Sequence, residues 1–441
     1  MTTLTIGLLL ILALIVMVVL GMQIAVALLS VAFVGIWILR DNIDLAFRLL
    51  GMASYNGIAD YLFATIPLFV MMGLLVSISN VGRDTFEVAE ALLRKTLGGL
   101  GVATVAANAV FAAVTGVSIA SAAVFTRVAV PEMGRHGYRL PFAAGIVAGS
   151  SVLGMLIPPS LLLIIYGVLA EVSIGAMFLA GIIPGVLLSI FFAAMIMFLA
   201  RFRPGIVYVD PAAAHARRID TGRVLSWREI VTKLVPIVML VVLILGGLYS
   251  GFFTPTEAGG VGAFGALLIA LARRKLDRAR AWQVLYQTGL VSVAILVLLI
   301  AAGYYSRMLS IAGIPNAISD LVRDGGLGPY GFLLVYVVIV LLMGMILDST
   351  SILLIMVPIA APIAMNMGFD LVHFGIVTVI AVEIGLLTPP FGISVFTVHT
   401  APADSRTKVE AIFMGTLPFV GVMLVILALI AVFPFLATAL V

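Results

Sequence analysis

The segment Gly385-Leu386-Leu387-Thr388-Pro389-Pro390-Phe391-Gly392 interrupts an apolar run, and a close copy, Gly154-Met155-Leu156-Ile157-Pro158-Pro159-Ser160, does the same earlier in the chain. The glycines that open the two segments are 231 residues apart. Glycine and paired prolines remove main-chain hydrogen bonds, and inside a bilayer such a break is tolerated only where it is buried in protein or lines a cavity. Two matching breaks in the two halves of a membrane protein predict the central site of a transporter.

The composition is that of a protein in a lipid bilayer. Of the 441 residues, 63% are hydrophobic and 10% are charged, and the mean hydropathy is +1.29, which predicts a polytopic membrane protein. The longest polar stretch, 201–233, is too short for a soluble catalytic domain. The absence of cysteine excludes thiolate metal sites and cysteine nucleophiles, and the four histidines show no metal-ligand spacing. We therefore expect no enzyme. The net charge of +4 lies mostly in loops, so we expect no nucleic-acid partner.

The apolar stretch 97–126 has basic residues on both sides. They are Arg83, Arg94 and Lys95 before it and Arg127, Arg135 and Arg139 after it. A single crossing would put one cluster on the wrong side of the membrane under the positive-inside rule. A re-entrant hairpin over 97–130, entering from the cytoplasm with its tip in Thr115-Gly116-Val117-Ser118-Ile119-Ala120-Ser121, resolves the conflict. The alternative is one tilted helix that packs through small residues.

A second hairpin is predicted over 330–363. This stretch has Asp348-Ser349-Thr350-Ser351 near its centre and is followed by Asp370, with no Lys or Arg inside it. It reads as a hairpin that enters from the outer face. Each hairpin is followed by one of the interrupted helices, 141–169 and 371–397.

The two halves align with the same displacement. It places Pro131 on Pro362, Gly154 on Gly385 and the Pro-Pro pair at 158 on the pair at 389. Because the two hairpins are assigned to opposite faces, the repeat is inverted in topology. The predicted fold is an all-α polytopic membrane protein with an inverted repeat, two re-entrant hairpins and two broken helices.

The remaining segments are predicted to be spans and loops. We expect N-terminal scaffold helices over 1–96, a first transport repeat over 97–200, a cytoplasmic loop with second-repeat scaffold helices over 201–329, and a second transport repeat over 330–441. The runs 4–20 and 22–39 are either two spans or one kinked helix, and we expect two retained spans and no cleaved signal peptide. Loops are expected over 40–60, around the basic residues that precede 97, and around Asp320, Arg323 and Asp324. The basic loop with Arg201, Arg203, Arg217, Arg218, Arg223, Arg228 and Lys233, and the one with Arg406 and Lys408, should be cytoplasmic.

The hairpin tips and breaks carry the chemistry of the predicted site. Free carbonyls at the breaks, together with hydroxyls, are hard oxygen ligands that suit a dehydrated alkali cation, and half-helix N-termini suit an anionic group. This combination predicts cation-coupled anion transport. The predicted sodium ligands are Thr115, Gly116, Ser118, Gly154, Pro158, Asp348, Thr350, Gly385, Thr388 and Pro389. The hydroxyls of Ser121 and Ser351 lie at the same tips.

Four residues are predicted to bind the substrate, namely Ser118, Arg307, Asp348 and Ser349. An ionisable residue within an apolar stretch is a functional candidate by default, and the alternative for Asp348 is a hydrogen-bond anchor for its hairpin. Arg307 could pair with Asp348 or with a substrate carboxylate, or it could be an interfacial arginine that extends to the headgroups. Glu383 is expected inside the membrane, where it could support the break or an ion site.

The chain resembles the large membrane subunit of the tripartite ATP-independent periplasmic (TRAP) transporters. The motifs that carry the resemblance occur in family order along the chain: Ile66-Pro67-Leu68-Phe69, Thr115-Gly116-Val117-Ser118, Pro131-Glu132-Met133, Ile157-Pro158-Pro159-Ser160, Thr254-Pro255-Thr256-Glu257-Ala258 and Leu387-Thr388-Pro389-Pro390. The resemblance implies a sodium-driven elevator-type importer in a bacterial inner membrane. It also implies a smaller DctQ-like membrane subunit and a periplasmic DctP-like substrate-binding protein. The implied substrates are organic acids such as C4-dicarboxylates, sialic acids and other sugar or keto acids.

One motif departs from the pattern of similar proteins. Their first tip often reads Ser-Gly-Ser-Ser, whereas this chain has Thr115 first and Val117 third. A side-chain ligand from the third position is therefore absent. Within transporters, the alternative reading is a stand-alone sodium–dicarboxylate symporter of similar architecture. Outside that class, the main alternative is a membrane-embedded enzyme, which would need a catalytic or metal-ligand grouping that the four histidines do not form. The other is a passive channel or a structural assembly subunit, and sodium-dependent saturable uptake would separate a channel from a transporter.

Overall fold

The structure is a computed structural model that describes residues 3–210, 225–326, 328–401 and 407–441. Throughout these residues the regular secondary structure is helical, apart from one isolated β-bridge between Tyr138 and Tyr208. The expected cytoplasmic residues Arg217, Arg218, Arg223 and Arg406 lie outside the described residues.

Twelve helices are described before the gap that follows residue 210. They are α1 (Thr3–Val19), α2 (Ile24–Arg40), α3 (Ile43–Ala59), α4 (Thr65–Ile78), α5 (Val81–Leu93), α6 (Gly99–Thr115), α7 (Ser118–Arg135), α8 (Leu140–Ser151), α9 (Leu153–Leu156), α10 (Leu161–Leu169), α11 (Ile174–Phe202) and α12 (Pro204–Val207). A short 3₁₀ turn, Tyr61–Ala64, leads into α4.

Ten helices are described after that gap. They are α13 (Trp227–Tyr249), α14 (Pro255–Ala272), α15 (Arg278–Ala312), α16 (Ile314–Asp324), α17 (Gly328–Gly344), α18 (Ser349–Asn366), α19 (Leu371–Gly385), α20 (Ile393–Thr400), α21 (Val409–Val432) and α22 (Phe435–Thr438).

Several helices of the first half have a counterpart in the second half that begins and ends about 231 residues later, which is also the separation of the two Pro-Pro pairs. Helix α7 begins at Ser118 and ends at Arg135, and α18 begins at Ser349 and ends at Asn366, which is the same helix displaced by 231. Helices α2 and α14, and α6 and α17, correspond in the same way to within two residues. The second half joins the counterparts of α3 and α4 into the single helix α15 of 35 residues.

Long apolar helices identify the chain as a multi-pass membrane protein. Among the described residues, seven helices are long and apolar enough to cross a membrane, and the bent pair α8–α9 and α10 makes an eighth. The apolar window of α18 is 72% buried in the protein, whereas that of α13 is only 17% buried. Helix α18 therefore lies inside the protein, and the exposed apolar side chains of α13 are left for lipid.

The helices pack as two hairpins that hold two broken helices, bordered by longer spans. Helices α6 and α7 form the first hairpin, and α17 and α18 form the second. The broken helices cross over between halves, since α10 packs against α18 and α19 while α20 packs against α7 and α8. Among the bordering spans, α4 packs along α14 and α2 packs along α15. The two halves therefore share one interior.

Three segments expected to be loops are helices. Helix α3 occupies most of the expected loop 40–60, and it begins where the Asn42 side chain accepts a hydrogen bond from the Leu45 N–H. Helix α5 contains Arg83, and α16 contains the charged residues of the third expected loop. In each of these helices the charged residues lie on one face. Their average hydropathy is therefore low, and hydropathy alone predicts a loop. Residues 4–39 form two separate helices, α1 and α2, and not one kinked helix; each has 17 residues, and that both cross the membrane stays a prediction.

Candidate functional site

The first hairpin tip and the first break touch through their backbones. Gly116 separates α6 from α7 with φ +64°, a conformation that favours glycine, and its carbonyl accepts a hydrogen bond from the Leu161 N–H at 3.2 Å. A Cβ on Gly116 would lie 2.6 Å from the carbonyl oxygen of Pro159. Gly154 in turn approaches the main chain of Val117 closely. The glycines predicted at this tip and break are therefore needed for the contact.

The helix that follows the first break, α10, has a side-chain cap at its N-terminus. The Ser160 hydroxyl accepts a hydrogen bond from the Leu163 N–H and donates one to the Met155 carbonyl across the break. The residues of this break are mostly buried, as are Thr115 and Ser118 of the tip. The peptide bonds within both Pro-Pro pairs are cis.

The second tip and break meet in the corresponding way. Gly344, at the end of α17, packs against Gly385, at the end of α19, and the Phe391 N–H donates a hydrogen bond to the Met345 carbonyl at 3.2 Å. This junction is more open than the first, because Asp348, Pro389 and Pro390 are exposed and Phe391 is 56% exposed.

Asp348 caps the second hairpin. Its carboxylate accepts hydrogen bonds from the Thr350 and Ser351 N–H groups, at 3.1 and 3.2 Å, and from the Ser351 hydroxyl. In this structure Asp348 therefore acts as a hydrogen-bond anchor for the second hairpin. A cap leaves further lone pairs on a carboxylate, so the role in ion or substrate binding stays a prediction.

Four residues at the tips and breaks bury side-chain oxygens that have no hydrogen-bond partner among the described residues. They are Ser118, Ser121, Glu383 and Ser394. Glu383 is 1% exposed, and the nearby Ser349 hydroxyl does not reach hydrogen-bond geometry with either carboxylate oxygen. A buried polar group without a partner is costly, and a buried carboxylate is especially so. A cation coordinated by these oxygens would remove that cost, so the donor set fits a hard alkali ion.

The other predicted sodium ligands are distributed over the same two junctions. The hydroxyls of Thr115 and Thr388 donate to the carbonyls of Phe111 and Ile384, one turn earlier in their helices. Their oxygen lone pairs remain available to a cation. Gly154, Pro158, Gly385 and Pro389 lie at the breaks as expected, although whether their carbonyls bind an ion stays a prediction.

Arg307 lies apart from Asp348. It lines a cavity of about 660 Å³ between α3, the turn before α4, α15 and the residues that follow α10, and Asp60 and Glu171 line the same cavity. Among the described residues Arg307 makes no ion pair with Asp348 or with either of these acids. The two predicted substrate-binding residues are therefore not brought together by a direct contact.

Two polar features of the interior were missed by the sequence reasoning. Ser394 lies at the start of α20, two residues after Gly392, and its place directly after the second break could have identified it as a candidate ligand from the sequence. The buried amide of Asn108 donates to the Ser150 hydroxyl at 2.6 Å across 42 residues, and no spacing along the chain indicates that pair.

One grouping of metal-ligand side chains lies away from the tips. Glu90, Glu132 and His136 place one ligand atom each within 4.8 Å of one another among the described residues. This grouping is not visible in the sequence, because Glu90 lies on α5 whereas Glu132 and His136 belong to α7 and its C-terminal cap.

Comparison with known proteins places this architecture in a family. The family model described as "Tripartite ATP-independent periplasmic transporter, DctM component" matches residues 11–436. The chain is 33% identical over 394 residues, 89% of each chain, to the C4-dicarboxylate TRAP transporter large permease protein DctM of Pseudomonas aeruginosa. It is 29% identical over 382 residues to the isethionate TRAP transporter permease protein DctMQ of Oleidesulfovibrio alaskensis, covering 86% of this chain and 58% of that protein.

Solved structures extend the likeness of fold. The crystal structure of the YdaH transporter of Alcanivorax borkumensis superposes with a TM-score of 0.59 over 89% of each chain, at 14% identity. Members of the matched family are transporter permease components and not enzymes. The family model spans nearly the whole chain, both breaks included, and the chain belongs to the DctM family of TRAP transporter large permeases.

Proposed function

We propose that the protein is the large permease of a sodium-coupled importer of organic acids. The observation that carries the proposal is the set of buried oxygens without partners at the two tip–break junctions. Ser118 and Ser121 would supply hydroxyl oxygens at the first junction. Glu383 and Ser394 would supply a charged and a neutral oxygen at the second. Bound sodium would supply positive charge there, and these residues would hold it by oxygen coordination.

Two helix N-termini would hold the substrate anion. Helices α7 and α20 begin at these junctions, and no side chain caps the start of either helix. Their free N–H groups and the positive ends of their helix dipoles favour a carboxylate. Helix α18 is different, because the carboxylate of Asp348 already occupies its N-terminus. We therefore infer that substrate contacts are stronger at the starts of α7 and α20 than at α18.

The proposed substrates are small organic anions. The two relatives described above are named for C4-dicarboxylates and for isethionate. Those compounds share an anionic group and differ in the rest of the molecule. The chemistry common to them is what an uncapped helix N-terminus would recognise.

The proposed movement is an elevator. The hairpins and broken helices would move together, since α10 packs on the second hairpin and α20 on the first. The spans α2, α4, α14 and α15 would stay with the membrane. The inverted topology proposed for the two halves is supported by the matching helix bounds, by the basic residues on both sides of the first hairpin, and by the lack of Lys and Arg within the second, which Asp370 follows.

The proposed partners are a DctQ-like small membrane subunit and a DctP-like periplasmic binding protein, in a bacterial inner membrane. The relative named DctMQ is longer than this chain, which covers 58% of it. A fused small subunit in that relative supports a separate one here. The word "tripartite" in the family description supports a third component.

Uptake into proteoliposomes tests the proposal. Labelled C4-dicarboxylate, isethionate and sialic acid are offered with and without an inward sodium gradient, and with and without the cognate binding protein and small subunit. We expect uptake to require the gradient and both partners. Uptake without the binding protein would favour the stand-alone symporter, and uptake that is indifferent to sodium would contradict the ion sites.

A further inference from the structure

A basic cavity lies at the end of the transport helices where the first hairpin begins and ends. Its volume is about 920 Å³, and it is bounded by the end of α7, the start of α8 and the start of α21. Three cationic residues line it: Arg135, Arg139 and Lys408. No Asp or Glu is among its described lining residues, so the side chains that line it carry three positive charges.

Two helices add further positive potential. Arg139 and Lys408 are the N-cap residues of α8 and α21, and neither helix start is capped by a side chain. The dipoles of both helices therefore point their positive ends towards the cavity. Uncapped N-termini beside cationic side chains form a strong site for a phosphate group.

The cationic side chains are only partly engaged by protein. The Nε of Arg139 donates to the Tyr208 carbonyl at 3.2 Å, and its two terminal nitrogens make no hydrogen bond or ion pair among the described residues. Arg135 pairs with Glu132 at the exposed edge of the helix. Lys408 makes no ion pair among the described residues. Arg139 and Lys408 thus keep their positive charge without an ion-pair partner among the described residues, although Glu410 lies in the first turn of α21.

The walls of the cavity are apolar. Val130, Pro131, Leu140 and Pro141 line it beside the cations. A free inorganic anion gains nothing from such walls, whereas a phospholipid places its phosphate on the cations and its acyl chains along the apolar surface. The basic residues also mark this end of the chain as cytoplasmic under the positive-inside rule. A lipid bound there would come from the cytoplasmic leaflet.

We propose that this cavity binds the headgroup of an anionic phospholipid, with Arg139 and Lys408 as its principal phosphate ligands. The lipid would rest on the base of the first hairpin and on the first turns of α8 and α21. This proposal is independent of sodium coupling, because none of its residues lies at a hairpin tip or break.

Lipid binding to the purified full-length protein in neutral detergent tests the proposal. Phosphatidylglycerol and phosphatidylcholine with identical acyl chains are titrated, and bound lipid is counted by native mass spectrometry, with the thermal unfolding midpoint as a second readout. We expect preferential binding of phosphatidylglycerol. The Arg139→Gln and Lys408→Gln variants should each weaken it about fivefold, and the double variant more, as expected for the loss of phosphate-contacting charges.

A matched control distinguishes lipid binding in this cavity from non-specific attraction of an anionic lipid to a basic protein surface. The Arg203→Gln/Arg278→Gln double variant removes two exposed charges that do not line the cavity and should bind phosphatidylglycerol like the wild type. Equal losses in this control and in the cavity variant would overturn the proposal. Lipid-free unfolding midpoints establish that each variant is folded.

Two soluble probes separate a lipid from a free anion. Glycerophosphoglycerol, which carries the same headgroup without acyl chains, and inorganic phosphate should bind at least tenfold more weakly than the lipid. If either binds as tightly as phosphatidylglycerol and loses affinity in the double variant, the cavity is a site for soluble anions and the lipid assignment is wrong.

Discussion

Gly344 and Gly385 bring the backbones of α17 and α19 into direct contact at the second junction. A Cβ on Gly385 would lie 2.5 Å from the Cα of Gly344, and one on Gly344 would lie 2.7 Å from the Cα of Gly385. No neighbouring side chain can move aside to relieve these distances, since both atoms belong to the main chain. The counterpart glycine of the first half, Gly154, is also closely approached, by the main chain of Val117.

Gly385→Ala should destabilise the protein, because the added methyl group forces the second hairpin away from the broken helix. We expect a cost of about 1–3 kcal/mol, as for overpacked interiors, and a loss of sodium-dependent uptake. The thermal unfolding midpoint in detergent measures the first effect. Gly421→Ala is the matched control, because a Cβ there meets nothing within 4 Å; similar midpoints for the two variants would contradict the packing argument.

Glu383→Gln should weaken sodium binding by about tenfold or more, because the change removes the buried charge and keeps the shape of the side chain. The measurement is the sodium concentration that gives half-maximal uptake in proteoliposomes. Glu410→Gln, which removes a carboxylate from the start of α21, should leave that concentration unchanged. An unchanged sodium requirement in Glu383→Gln would exclude this carboxylate as an ion ligand.

Asp348→Asn should impair transport while the protein stays folded and extractable. Asparagine caps a helix about as well as aspartate does, so the variant removes the charge and preserves the start of α18. Asp348→Ala should also lose stability, by about 1 kcal/mol, because it removes the cap. Uptake and unfolding midpoints are compared for both variants. Normal uptake by Asp348→Asn would leave Asp348 with a capping role alone.

Tyr166→Phe removes a hydrogen bond between the two halves. The Tyr166 hydroxyl donates to the Leu371 carbonyl at 2.7 Å, across 205 residues. Loss of one such bond should cost about 0.5–1.5 kcal/mol. Because Leu371 begins α19, we also expect faster hydrogen exchange at the start of that helix. Unchanged exchange there would show that the bond does not hold the two halves together.

Acid should loosen the attachment of α5 to the bordering spans. Glu87 is bonded to Lys233, at the start of α13, and to Arg83 on its own helix. Burial acts to raise the pKa of Glu87, but the hydrogen bonds and charges of Lys233 and Arg83 outweigh it and lower the pKa below its ordinary value of 4.5. A lowered pKa means that stabilisation is complete above pH 4.5 and is lost as the pH falls through the folded-state value.

The measurement for this pair is the unfolding midpoint between pH 7 and pH 3.5. Lys233→Met should lower the midpoint at pH 7, at a cost of about 1 kcal/mol or less because both side chains are partly exposed, and should flatten its fall in acid. An acid profile identical to that of the wild type would show that the Glu87–Lys233 pair contributes nothing to this response.

The positions at which the helices are interrupted were predictable because their signals are local. A glycine at a positive φ and a pair of prolines act on the main chain wherever they occur, so Gly116 and the two Pro-Pro segments mark the interruptions without tertiary information. The helices α3, α5 and α16 were missed for the opposite reason. Their charges are separated from their apolar residues only by helical periodicity, which a hydropathy average removes.

The candidate site was predicted in part. The tips and breaks that hold Thr115, Ser118, Thr350 and Thr388 follow from the same local signals. Which of these side chains is free to bind an ion does not follow from the sequence, because it depends on the hydrogen-bond partners that each side chain has in the fold. Asp348 is engaged as a cap, whereas Glu383 is buried and has no hydrogen-bond partner in the part of the chain that the structure describes, and the two carboxylates are equally conspicuous in the sequence.

The sequence by itself determined that this is a multi-pass membrane protein with two interrupted helices, and it predicted two similar halves, because hydropathy and main-chain chemistry act over a few residues. Only the tertiary structure decided which hairpin meets which helix, which oxygens are left without partners, and where Arg135, Arg139 and Lys408 converge. Those outcomes depend on contacts between residues that are far apart in the chain, such as Gly344 with Gly385 and Tyr166 with Leu371. Packing sets which residues are close in space, and the spacing of residues along the chain does not reveal these contacts.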